Sequence, residues 1–224
     1  MENSQLIKEF NPIGEWLIFG MGYSEISLIA CEEMIRSAVD GKIKKDFLYI
    51  PTIYNIKHAM EIFEKLILLI IDDKDCLGKN DWTHDISGLF IKLENKIDFE
   101  KMERHYAKKS GVYYLTEVDA MKKTIAECYD LVEKYYHLLF LVEKIGPDFL
   151  IEDKKNTAFR YPENILLIKP KYLKVLEKIK IEDIEEIKKD VAKLIKFWDI
   201  GLDIGSYLYD DGYKEKSNKK SNKK

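Results

Sequence analysis

The stretch Pro51-Thr-Ile-Tyr-Asn-Ile-Lys-His-Ala-Met-Glu-Ile-Phe-Glu-Lys-Leu-Ile-Leu-Leu-Ile-Ile71 decides the fold. Ile56, Ala59/Met60, Phe63, Leu66/Ile67 and Ile70 recur at three- and four-residue intervals, the spacing of one helix face. Apolar residues also spread around much of the circumference, which predicts a central helix buried on most sides. Proline lacks an amide hydrogen and is tolerated only in a first turn. The helix is therefore expected to start at Pro51, with Phe47–Ile50 extended before it. The unbroken apolar run Leu66–Ile71 is far too short to span a membrane.

Helical periodicity continues on both sides of this segment. Leu17, Met21, Ser24, Leu28, Cys31, Ile35 and Val39 predict a helix over Ile13–Asp40, stopped by Gly41. Gly20 and Gly22 either weaken its first turns or let another helix approach closely. After a turn-rich loop, Asp72–Asp81, a short helix runs from Asp85, its N-cap, to Lys96, and a charged one follows over Asp98–Lys109. Leu115, Val118, Ile125, Cys128, Val132, Tyr135, Leu139 and Val142 mark a long helix, Leu115–Ile145, ended by Gly146-Pro147. Ile184, Ile187, Val191, Leu194/Ile195, Trp198 and Leu202 mark a last one, Ile181–Tyr209. Between them, Asn156–Pro170 breaks the period, and Pro162 and Pro170 bracket Ile165–Ile168. The expected fold is an all-α, up-and-down helical bundle with a short irregular or hairpin insertion near 156–170. Residues 1–12 form an N-terminal extension, 13–209 the helical domain, and 210–224 a disordered basic tail.

Composition narrows the function classes. With 224 residues, 46% hydrophobic and 12% aromatic, the chain can bury a substantial core. Its net charge of −3 is uneven, because Lys214–Lys224 holds six Lys and one Glu, leaving −8 for residues 1–213. An acidic body argues against a broad nucleic-acid surface. Cys31, Cys76 and Cys128 are odd in number and far apart, which excludes a disulfide framework and a structural zinc site. Cys31 and Cys128 fall in apolar helical patterns and are expected to be core residues. Met1–Pro12 is polar and shows no signal peptide, so a cytoplasmic location is expected.

Few residues are equipped for chemistry. His58 and Glu61 lie three apart on one helix face, as two metal ligands, an acid–base pair, or a half-buried imidazole with its partner. No Glu-x-x-His occurs, so the di-metal bundle pattern is absent and neither metal nor cofactor is expected. His84-Asp85 reads as a proton-transfer or orienting pair, or as a helix start capped by Asp85. Arg160, one of three arginines, reads as a phosphate fork or as an ion pair tethering Phe159-Arg-Tyr-Pro162. No phosphate loop, nucleophile elbow or activated cysteine is present.

Taken together, Lys57-His-Ala-Met-Glu61, Thr83-His-Asp-Ile-Ser-Gly-Leu-Phe90 and Phe159-Arg-Tyr-Pro-Glu163 resemble the motifs of a group of HEPN-like bacterial and archaeal proteins. In that group the motifs run Arg-His-Ala-Leu-Glu-Leu, Gly-His-Asp-Leu and Phe-Arg-Tyr-Pro-x-Asp, in the same order. The likeness covers roughly residues 13–209, with Lys57, Thr83 and Phe90 standing where the group has Arg, Gly and Trp. It implies an all-helical, homodimeric protein from a superfamily rich in RNA-cutting toxins, toxin–antitoxin pairs and defence proteins. The Arg-x(4–6)-His motif of the metal-independent ribonucleases is missing, because none of Arg36, Arg104 and Arg160 has a histidine at that spacing. The expectation is therefore a non-catalytic binding or regulatory module with an RNA or protein partner. The alternative is a nuclease with a non-standard site. In it His58, His84 and Asp85 would move protons, and Lys57, Arg160 and Tyr161 would hold the substrate.

Overall fold

The computed structural model describes residues 12–39, 45–72, 84–100, 102–104, 112–138 and 176–221. It is an all-α bundle, and among the described residues there is no strand. Its main helices are α1 (Pro12–Val39), α2 (Lys45–Asp72), α3 (Ile86–Glu94), α4 (Val112–Tyr136) and α5 (Ile181–Ser221). The insertion expected near 156–170 lies outside the described residues. No helix among those described is long and apolar enough to cross a membrane.

Helix α2 is the centre, packed along α1 and against α5, α3 and α4. Ile53, Ile56, Met60, Phe63, Leu66 and Ile67 are all but inaccessible to solvent. Each such side chain contributes about 1.5–3 kcal/mol by leaving water. One boundary departs from expectation. The helix begins at Lys45, so Phe47–Ile50 is helical and Pro51 sits inside. Burial of Tyr49 and Ile50 accounts for this, since their packing outweighs the single backbone hydrogen bond that Pro51 cannot make. Thr52 supplies an extra bond there, its hydroxyl donating to the Leu48 carbonyl at 2.7 Å.

Helices α1 and α5 meet through small residues. The indole Nε1 of Trp198 donates to Ser24 Oγ at 3.3 Å, beside Gly20. A Cβ placed on Gly20 would lie 2.2 Å from the Trp198 ring, so this glycine is what allows the close approach. At Gly22 a Cβ would meet nothing within 4 Å, and Met21, expected on the inner stripe, is instead largely exposed. Helices α3, α4 and α5 are tied by polar contacts. Ser87 donates to Glu133 at 2.7 Å, and Lys134 reaches Asp190 at 2.7 Å and Glu186 at 2.5 Å.

Two helix ends also differ from expectation. Helix α4 stops at Tyr136, not near Ile145, and Leu138 follows with φ of 51°. The left-handed conformation is costly for leucine, but the side chain is fully buried, which offsets the strain. Helix α5 continues to Ser221, so residues 210–221, assigned above to a disordered tail, are helical. Lysine and glutamate are good helix formers and no proline interrupts the segment.

Candidate functional site

Three elements build a cleft of about 390 Å³ at the α1–α2 face of the bundle. Helix α2 supplies its floor. His58, Glu61, Ile62 and Lys65 follow one another at helical intervals along a single ridge and all line the cleft. Helix α1 supplies the wall, with Glu15, Trp16, Phe19 and Tyr23. The residue just before α3, His84, closes one side.

His84 is placed by the start of α3. Asp85 has extended backbone (φ −80°, ψ 91°), and its carboxylate accepts a hydrogen bond from the Gly88 amide at 3.0 Å. This N-cap satisfies an otherwise orphaned donor and fixes the angle at which the chain enters the helix. His84 is thereby held with Nδ1 2.9 Å from Glu61 Oε1, across 23 residues of sequence. Asp85 itself is occupied in capping and does not line the cleft.

Glu61 is the hub. Lys65 Nζ donates to its Oε1 at 2.6 Å, and His58 Nδ1 lies 3.6 Å from its Oε2. The carboxylate is almost fully buried, and burial alone would raise its pKa. The donors of His58 and Lys65, with the Lys65 charge and the His84 ring, outweigh that and hold it at about 2. Glu61 is therefore a fixed anion at neutral pH. His58 is further clamped by aromatic rings, edge-on by Tyr23 at 4.6 Å and stacked by Tyr54 at 5.6 Å between centroids.

One turn further along α2 stands a carboxyl of opposite character. Glu64 is completely buried, and among the described residues neither of its oxygens has a hydrogen-bond partner. Burial, then the neighbouring charges of Glu61 and Asp85, pushes its pKa well above the carboxylate range. Glu64 is thus harder to ionise than an ordinary carboxyl, and it lies away from the cleft lining. Among the described residues, the two thiols are likewise hard to ionise. Burial raises Cys31 to about 12 and Cys128 well above its ordinary value, and both are core residues as expected.

Of the residues singled out from sequence, His58 and His84 are brought together around Glu61. Lys57 is fully buried and absent from the cleft lining, so it does not offer its ammonium to a substrate there. Arg160 and Tyr161 lie outside the described residues. Sequence reasoning passed over Glu15, Trp16, Phe19, Tyr23 and Lys65. The spacing of Trp16, Phe19 and Tyr23 and the Glu61–Lys65 pair at i,i+4 were the available signals. Among the described residues, no group of three or more His, Cys, Asp or Glu side chains is arranged to hold a metal ion. In comparisons with known proteins, no family model, curated relative or solved structure matches the chain.

Proposed function

We propose that this chain is an HEPN-like helical module that binds rather than cleaves, taking its ligand in the α1–α2 cleft. The observation that carries the reading is the cleft itself: His58, Glu61, Lys65 and His84 reach an open, aromatic-walled cavity. A purely structural polar network would be closed and satisfied internally. A volume of about 390 Å³ lies within the range of small-molecule and side-chain pockets. The defence or toxin–antitoxin setting rests on the motif resemblance alone. Helix α1 also leaves Ile18, Ile26 and Ile29 more than half exposed, an apolar strip that supports a homodimer as the working form.

Among the described residues that line the cleft, the engagement of Lys65 by Glu61 favours binding over phosphodiester cleavage. Lys65 is paired to Glu61, and Lys57 is buried elsewhere, so no side chain described in the cleft would steady a phosphate's developing charge. The nuclease reading keeps one supporting observation. His58 and His84 flank a shared carboxylate, which is how two imidazoles are oriented for proton transfer. Incubation with total RNA in the presence of a chelator separates the two. The binding reading expects intact RNA with the unaltered chain and with His58→Ala alike. Cleavage by the unaltered chain that is lost in both His58→Ala and His84→Ala would replace it with the nuclease.

A further inference from the structure

The cleft and the exposed strip of α1 form one surface, and this bears on what enters the cleft, on the reading that it is a binding site. Phe19 lines the cleft yet is 62% exposed, and Ile18, Ile26 and Ile29 continue the apolar surface along α1. The floor continues as well. The ridge of His58, Glu61 and Lys65 runs back along α2, at three- and four-residue steps, through Tyr54 and Pro51 to Phe47. Phe47 is 79% exposed, more than any other large apolar side chain among the described residues. Helices α1 and α2 run antiparallel, with Gly20 against Ile62 and Tyr23 against His58. The cleft therefore lies at the N-terminal end of the α1 strip, and Phe47 at its C-terminal end.

A cavity at one end of a face and a projecting ring at the other suit a two-fold pair, in which each copy presents both halves of every contact. The charges follow the same plan. Glu15 is exposed at the N-terminal end. Arg36 stands at the other end with its side chain 70% exposed, while Glu33, which it bonds, is 23% exposed, so that end presents the guanidinium. With five N–H donors, a guanidinium can serve a second carboxylate. Parallel copies would set Glu15 against Glu15, whereas an antiparallel copy sets it against Arg36, twice. The same register brings Gly22, where a Cβ would meet nothing within 4 Å, opposite Ile29, since each lies two turns in from its charged end. It also carries Phe47 of one copy to the end of the face where the other has Trp16 and Phe19.

We propose that α1 pairs antiparallel with α1 of a second copy, and that Phe47 of each copy enters the aromatic end of the other's cleft. The ring lies there against Trp16 and Phe19, and Glu15 of each copy faces the other's Arg36.

Sedimentation equilibrium of the full chain over a range of concentrations tests this, with the Trp16 indole resonance recorded alongside. A dimer should form, and its formation should shift that resonance. Phe47→Ala, at a position too exposed to support the fold, should weaken the dimer about tenfold or more and remove the shift where the unaltered chain is paired. Glu15→Arg should weaken it about tenfold, and adding Arg36→Glu should restore most of the loss. A dimer that is indifferent to Phe47→Ala, that leaves the Trp16 resonance unmoved, or whose charge reversal is not rescued would overturn the pairing. A monomer at every concentration would overturn it too, and leave the cleft to a ligand of other chemistry. Failure of the binding reading itself shows separately, as RNA cleavage that depends on His58 and His84.

Discussion

Replacing Glu61 by Gln keeps the shape of the hub and removes its charge, which isolates the electrostatic part of its role. In the folded chain the carboxylate titrates at about 2, against an ordinary value of 4.5. That difference corresponds to about 3 kcal/mol of native-state stability at neutral pH, since each unit is worth about 1.4 kcal/mol. The folded value is the depressed one, so the contribution is fully present above pH 4.5. It is lost as pH falls toward 2, where the group is neutral in both states. Urea unfolding followed by circular dichroism should therefore show Glu61→Gln destabilised by roughly 2–3 kcal/mol at pH 7. The gap to the unaltered chain should shrink by more than half by pH 3, because the variant has no proton to take up there. A gap that stays constant across this range would show that Glu61 acts through packing alone. No gap at pH 7 would refute the ion network around it.

Glu64 predicts the opposite slope. Its folded pKa is raised, so in the unaltered chain the unfolded state ionises first, and stability is lost as pH rises above about 4.5. Glu64→Gln should thus gain stability relative to the unaltered chain between pH 4 and pH 8, and an equal offset in melts at both values would count against a raised pKa at Glu64. The two glycines of α1 should respond in opposite directions. Gly20→Ala collides with the buried Trp198 and Ile62 and should cost about 1–3 kcal/mol, whereas Gly22→Ala meets nothing and should gain roughly 0.5–1 kcal/mol of helix propensity. Thermal melts that rank them the other way would show that α1 does not lie against α5 as described.

Local periodicity was enough to identify α1, α2 and α5 as helices and to pick most of the inward residues of α4 and α5. Val118, Ile125, Cys128, Val132 and Tyr135 on α4, and Ile184, Ile187, Val191, Leu194 and Trp198 on α5, are buried as their spacing implies. Burial of an apolar stripe is a property of one helix, and the sequence states it directly. The Asp85 cap was legible for the same reason, since it joins residues three apart. Where packing competed with a local rule, the rule lost. Tyr49 and Ile50 carried α2 back through Pro51 to Lys45, and the burial of Leu138 ended α4 early.

The site was decided by tertiary structure. His58 and Glu61 were recognisable as neighbours on one face, but nothing in the order of residues says that His84 meets the same carboxylate from 23 positions away. Nor does it say that Lys57 turns into the core while Lys65 pairs with Glu61, because both are lysines on one apolar helix. The aromatic wall belongs to a different helix altogether, and only the contact of α1 with α2 sets it opposite the histidines. A helix face follows from the period of its own residues, whereas a cleft depends on the angle and depth at which separate helices pack. That is fixed by side-chain fit, such as Trp198 over Gly20, which no single segment contains.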